Sequence, residues 1–282
     1  MPTRRTFLKT TAACTALPFA TGAASAAPGS YSGVVVTRGH FGLQTFGDPE
    51  LIDGNTRTNY ETTGDIPGLT DGSSPDELVV FVHGFQRTPA EARRDFSDVT
   101  AALRANDYEG PVVGFSWDSD WSDDQWDDAR TIADRNADKL GTFIRDYKAA
   151  SPDTDVRLVG YCLAAKTLAE TLEFFYDRGY DTTVTSTAPL GGAIDDDEVA
   201  TDGEYGSPIA EHTETFRNYY WPDDDDFEWD YRWAEFDTPV GTAGCEGTEP
   251  DNYEDIEVAP DNHDSYYRPD TGVIPTVVAQ WD

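Results

Sequence analysis

Val159-Gly160-Tyr161-Cys162-Leu163-Ala164-Ala165 joins two kinds of periodicity. Before it, Asp155-Val156-Arg157-Leu158-Val159 is a short apolar run of strand type; after it, Leu168, Leu172 and Phe175 recur at helical spacing. Cys162 therefore sits on a strand-to-helix turn. That is the setting of a nucleophile elbow, in which a tight turn lifts a reactive side chain above a sheet and the N-terminus of the next helix faces a developing oxyanion. The pattern G-x-S-x-G is met here as G-Y-C-L-A, with Cys162 at the centre and Ala164 in place of the second Gly. Glycines flank an elbow so that backbones can pass closely, and Ala is the smallest replacement, so the turn is expected to keep its shape.

Toward the N-terminus, Leu78-Val79-Val80-Phe81-Val82 is a continuous apolar run, as a parallel strand covered on both faces requires, and it ends in His83-Gly84-Phe85. Thr88-Pro89-Ala90-Glu91 is a capping box with Pro at the first helical position, and Ala92, Phe96, Val99 and Leu103 make one apolar face. Pro111 to Phe115 repeats the strand pattern, Ser122-Asp123-Asp124-Gln125 is a second capping box, and Ser32 to Arg38 is a first strand. Beyond the elbow helix, which ends at Gly179, strands are expected at Thr183 to Thr187, Thr215 to Tyr220 and Ile256 to Ala259. Strand and helix in alternation predict an α/β fold, a mostly parallel sheet with helices on both faces and right-handed connections. The acidic, Gly-containing excursion from Gly191 to Thr213 is the expected lid, since long loops in compact domains usually serve function.

The chain of 282 residues carries 20 basic and 54 acidic residues, a formal charge of −34. Its start, Thr3-Arg4-Arg5-Thr6-Phe7-Leu8-Lys9, precedes an uncharged Ala/Thr-rich stretch ending Ala24-Ser25-Ala26. It resembles a twin-arginine export signal, which implies a leader over residues 1–26, a single domain over 27–282, and an extracellular or cell-surface destination. The leader holds three of the basic residues and no acidic one, so the mature chain has 17 against 54, a net of −37. Such a charge excludes unassisted nucleic-acid binding, which needs clustered Lys and Arg. No later run reaches the length of a membrane span. Only Lys139, Lys148 and Lys166 remain as mature lysines, a surface suited to molar salt, where the Debye length falls to about 3 Å. Seven Trp, fourteen Tyr and fourteen Phe supply a core and argue against disorder.

With a strand ending in His83-Gly84, an elbow at Cys162, and late Asp and His residues in that order, the chain resembles the α/β-hydrolase superfamily over most of residues 77–282. Within it the chain looks like exported haloarchaeal α/β-hydrolases. The resemblance implies the order nucleophile, acid, base. That gives Cys162, an aspartate following the Thr215 to Tyr220 strand, and His263, acting on a small-molecule acyl substrate without a cofactor. Among Asp223 to Asp226 the family spacing fits Asp224 or Asp225, with Asp224 preferred. His263 is preferred to His212 because it follows the last strand, where the family has its base. The implied oxyanion donors are the backbone N–H groups of Phe85 and Leu163. The local G-Y-C-L motif is also similar to that of dienelactone hydrolases, which use a Cys-Asp-His triad on this fold and so imply thioester chemistry. Other readings stay open: a catalytically silent hydrolase-fold protein with a binding or structural role, in which Cys162 is an inert buried thiol or is disulfide-bonded to Cys245, and the aspartate run as surface charge or a cation site. Lys166 is expected to pair with acidic neighbours rather than face the elbow.

Overall fold

A computed structural model describes residues 30–44 and 47–281; the expected leader, residues 1–26, lies outside the described residues. In chain order its elements are β1 (Gly33–Val36), β2 (Phe41–Gly42), β3 (Glu50–Leu51), β4 (Glu61–Gly64), β5 (Glu77–Val82), α1 (Pro89–Ala105), β6 (Val112–Ser116), α2 (Trp126–Ala150), β7 (Asp155–Tyr161), α3 (Ala164–Arg178) and β8 (Ser186–Leu190). They are followed by α4 (Gly206–His212), β9 (Phe216–Tyr220), α5 (Asp225–Glu235), α6 (Val240–Ala243), β10 (Tyr253–Glu257) and α7 (Ile274–Val278). Eight strands form one sheet in the order β10-β9-β8-β7-β5-β6-β1-β4. Its neighbours pair in parallel except β1 with β4, at one edge. Helices lie on both faces, α2 packing on α3 and α1 on α7.

The continuous apolar run predicted for a doubly covered strand is β5, where Leu78 through Val82 are fully buried. Each such side chain stabilises the fold by roughly 1.5–3 kcal/mol relative to exposure. After β5 the chain places β6 on one side and then crosses back through α2 to place β7 on the other. The reversal opens a crevice at the carboxyl ends of these strands, the usual ligand position in open α/β sheets. β5 ends at the His83-Gly84 turn and β7 at Cys162, so both motifs meet there. The Thr88 box closes as expected on α1, with Thr88 N–H donating to Glu91 at 2.9 Å and Glu91 N–H to Thr88 Oγ1 at 3.3 Å. The Ser122 box caps a 3₁₀ turn, Asp123–Gln125, that leads into α2.

Two expectations are corrected. The strand predicted at Thr183 to Thr187 begins at Ser186 and runs to Leu190, because all five of those residues are buried beside β7, whereas Val184 forms only an isolated bridge to Thr213. Pro189 hid this strand; it lies opposite Gly160 in the ladder with β7, and the β9 side pairs only through Thr187 and Leu190. The excursion from Gly191 to Thr213 is not a lid. Ile194, Val199, Tyr205 and Ile209 are fully buried in it, and α4 packs on α3.

Candidate active site

At the end of β7 the backbone turns sharply, with Cys162 at φ 55°, in the left-handed region, and α3 beginning two residues later. For a non-glycine residue this conformation costs roughly 1–2 kcal/mol. It is held from the next strand: Cys162 N–H donates to Leu190 O at 3.0 Å, and Ala193 N–H donates to Cys162 O at 3.2 Å. A side chain at Gly160 would come within 2.8 Å of Leu168 Cδ1, so the first elbow glycine lets α3 lie against the strand. Ala164, in place of the second, is fully buried.

Beside the elbow runs the loop from His83 to Arg87. Gly84 lets this loop lie close against the elbow, since an added Cβ would sit 2.8 Å from Tyr161 O and 3.1 Å from Cys162 Cβ. His83 is fully buried and stacks on Trp117 with ring centroids 5.6 Å apart. Trp117 N–H donates to its Nε2 at 3.2 Å, so Nδ1 carries the hydrogen and donates to Gly84 O at 3.0 Å. Burial, then the nearby Arg38, hold its pKa well below 6.5, and the ring stays neutral. His83 is thus a strut beneath the loop. The N–H groups of Phe85 and Leu163 donate to no group among the described residues, and both residues sit outside helix and strand.

Asp224 occupies the N-cap position of α5, yet its carboxylate caps no N–H; it accepts from His263 Nδ1 at 2.7 Å and is 4% exposed. His263 opens a 3₁₀ turn fixed by Asn262 N–H to Ser265 Oγ at 2.9 Å. Its other nitrogen, Nε2, is buried without an aligned hydrogen bond among the described residues. Cys162 lines the same cleft and is, after Asp224, the group that raises the imidazole pKa. Burial lowers the His263 pKa, but the Asp224 hydrogen bond and then Cys162 outweigh it and push it up to about 10. The imidazole is therefore held as a cation at neutral pH, beside Cys162 on the elbow.

Of the residues singled out in the sequence, the structure brings together Cys162, Asp224 and His263, with Phe85 lining the same cleft and Leu163 following Cys162 on the elbow. It sets the others apart. Asp225 is exposed at the start of α5, and the His212 ring is buried between Phe175 and Tyr176 with Nδ1 2.9 Å from Thr182 O. Cys162 and Cys245 are both free thiols. Lys166 turns away from the elbow to Tyr205 and to Glu170, 3.1 Å away.

A cleft of about 600 Å³ opens over Cys162, walled by Phe85, Trp126, Phe227, Tyr231 and Trp233. Its roof is α5, a stretch to which the sequence reading assigned no element. Phe227 stacks on the His263 ring with centroids 4.2 Å apart, and Tyr231 Oη donates to Asp195 at 2.7 Å. Glu235 ties the far end of α5 to Trp126 Nε1 and, at 2.7 Å, to Arg130. Spacing gave one signal for this role: Phe227, Tyr231 and Ala234 recur at helical intervals on the inner face. Among the described residues no helix is long and apolar enough to cross a membrane.

No protein-family model matches the chain, and no curated protein sequence does. Solved structures of similar shape include a Listeria innocua protein, 9% identical, covering 73% of this chain and 93% of its own with a TM-score of 0.42. Est1E from Butyrivibrio proteoclasticus is 14% identical, with coverages of 73% and 88% and a TM-score of 0.40. An arylesterase is 11% identical, with coverages of 74% and 76% and a TM-score of 0.42. In this chain's own geometry, the mostly parallel sheet, the strained turn at the end of a central strand, and an Asp and a His following later strands make the architecture the α/β-hydrolase fold.

Proposed function

We propose that the chain is an exported, salt-adapted hydrolase that cleaves an ester or related acyl bond through a thioester on Cys162. The observation that carries this reading is the Asp224–His263 pair, 2.7 Å long, with Nε2 of the same ring against a thiol on a left-handed elbow. Sγ attacks the carbonyl carbon, and the thiol proton resides on His263. Electrons displaced onto the carbonyl oxygen are met by the N–H groups of Phe85 and Leu163. Collapse of the tetrahedral species breaks the C–O bond, and the imidazolium protonates the leaving alkoxide. Water then attacks the thioester, His263 takes its proton, and breaking the C–S bond releases the acid and returns the ion pair. Asp224 fixes the ring and stabilises the imidazolium.

Support for export lies in Arg4-Arg5 followed by an uncharged stretch, and for salt adaptation in the net charge of −34, whose self-repulsion molar salt screens. The decisive experiment is intact-protein mass spectrometry in high salt with a chromogenic short-chain acyl ester. A transient acyl adduct on Cys162, absent together with turnover in Cys162→Ala, is the expected result; turnover persisting in that variant refutes the mechanism. Circular dichroism on dialysis to low salt tests the adaptation, with loss of structure expected. Replacing Arg4 and Arg5 by Lys tests the route, with processed protein disappearing from outside the cell.

A further inference from the structure

Three groups of the proposed reaction lie on three separate loops, and a neighbour of each belongs to one polar network centred on Arg87. Arg87 stands two residues after Phe85 and its side chain is 16% exposed. Nε donates to Asp95 on α1 at 3.0 Å and Nη2 donates to Asp264, next to His263, at 2.5 Å. The same Asp264 oxygen accepts from Oη of Tyr161, next to Cys162, at 3.1 Å, and the guanidinium lies 5.7 Å from the centre of the Tyr161 ring. Asp95 is fixed in turn by Tyr267 Oη at 2.8 Å. The Arg87 backbone is held too, its carbonyl accepting from Arg38 Nη2 at 2.7 Å.

We propose that Arg87 is a positioning residue that locks the oxyanion loop to the elbow and to the histidine turn, and so sets the separation between the Phe85 N–H and Cys162. The proposal rests on the acyl-transfer reading above. A guanidinium suits this task because its planar fork meets two carboxylates from fixed directions, whereas an ammonium is a single flexible point charge. Stability alone is a poor reason for the arrangement, since a buried ion pair often contributes no more than apolar residues of the same volume. Substrate recognition is equally poorly served. Both well-formed donor contacts of Arg87 end on carboxylates of this chain, and Nη1 reaches only Gln86 O at 3.5 Å.

The test compares two reactions at one sulfur in the full-length protein at high salt. Hydrolysis of a neutral acyl ester needs the oxyanion donors, while alkylation of Cys162 by iodoacetamide creates no oxyanion and needs only the thiol and His263. Arg87→Ala and Arg87→Lys are expected to lower kcat for the ester about 30- to 100-fold, the scale of a misplacement near 1 Å. KM and the alkylation rate are expected to stay within about threefold. Asp264→Asn, a change at a half-exposed position that leaves Asp95 paired, is expected to show the same split at about tenfold and carries the test if the Arg87 variants do not fold. Parallel loss of both reactions, a rise in KM alone, or unaltered hydrolysis in an active protein overturns the positioning role while leaving acyl transfer intact. A native protein alkylated at Cys162 that forms no acyl adduct with the ester overturns acyl transfer, and the positioning role with it.

Discussion

Exchanging Asp224 for Asn removes the charge opposite His263 and keeps the shape of the pair. With the carboxylate 2.7 Å from Nδ1 and Cys162 against Nε2, the imidazole pKa stands at about 10 rather than 6.5 despite burial, which alone lowers it. If the variant ring returns to near 6.5, the imidazolium that protonates the leaving alkoxide falls to about 3% at pH 8, a loss of roughly 30-fold in kcat/KM from protonation alone. An Asn amide that donates to Nδ1 selects the wrong tautomer and deepens the loss. The assay is kcat/KM for a neutral acyl ester from pH 5 to 11 in the native protein, Asp224→Asn and Asp225→Asn. The native alkaline limb is expected near pH 10 and that of Asp224→Asn at clearly lower pH, since burial then lowers the imidazole pKa with only Cys162 left to raise it. Asp225 is exposed, so its variant should follow the native curve. A native limb near 7, or one that shifts in Asp225→Asn and not in Asp224→Asn, would refute the reasoning. The same raised pKa contributes stability that is full below about pH 6.5 and is lost as pH climbs through about 10.

Gly84→Ala is expected to fold and to lose about 10²-fold in kcat, because relieving a 2.8 Å contact with Tyr161 O moves the loop off the elbow; unaltered kcat would contradict the assignment of the Phe85 N–H. Acidification from pH 8 to pH 5 should raise the melting temperature. Burial first, against partial relief from Arg87 or Lys166, pushes Asp95 and Asp134 to about 6 and Glu198 to about 7, and burial with the adjacent Glu170 pushes Glu173 to about 8. The folded chain then binds protons that the unfolded chain has shed, so stability declines as pH rises through this window; a flat or opposite trend in calorimetry would count against these shifts. At the cleft, Asp123 and Asp230 are exposed beside aromatic walls while Arg87 is paired to Asp264. An ester bearing a quaternary ammonium should therefore show a KM roughly 3- to 30-fold below that of its neutral isostere, and Asp230→Asn should narrow the gap.

What the sequence made legible was local. The change from strand to helical periodicity at Gly160-Tyr161-Cys162 and the Thr88 box each leave a mark within a few residues, and β5, β7, α1 and α3 follow from them. Asp224 and His263 were picked out only because a resemblance supplied the order of groups along the chain; nothing in Asp223 to Asp226 itself says which carboxylate turns inward. The Arg87–Asp264 contact joins positions 177 residues apart and has no periodic or spacing signature. Pro189 argued against a strand that parallel neighbours nonetheless accommodate, and the acidic length of 191–213 concealed its buried Ile194, Val199 and Ile209. The roofing role of α5 was missed for the converse reason, since a stretch so rich in Asp and Glu reads as solvated although Tyr231 is buried and Phe227 covers His263.

The sheet order carries a consequence for when the thiol becomes dangerous. Cys162 is set by β7 and α3, near the middle of the sheet, whereas Asp224 follows β9 and His263 follows β10, the outermost strand on that side. A chain that had formed only its central strands would hold the elbow without the imidazole. The imidazole reaches it only when the sheet has grown three strands further, to its edge, so a partly assembled chain carries its cysteine without its activator. Under the proposed mechanism the strand order keeps the cysteine apart from its base until β10 has docked, and reactivity of Cys162 is expected to report that docking.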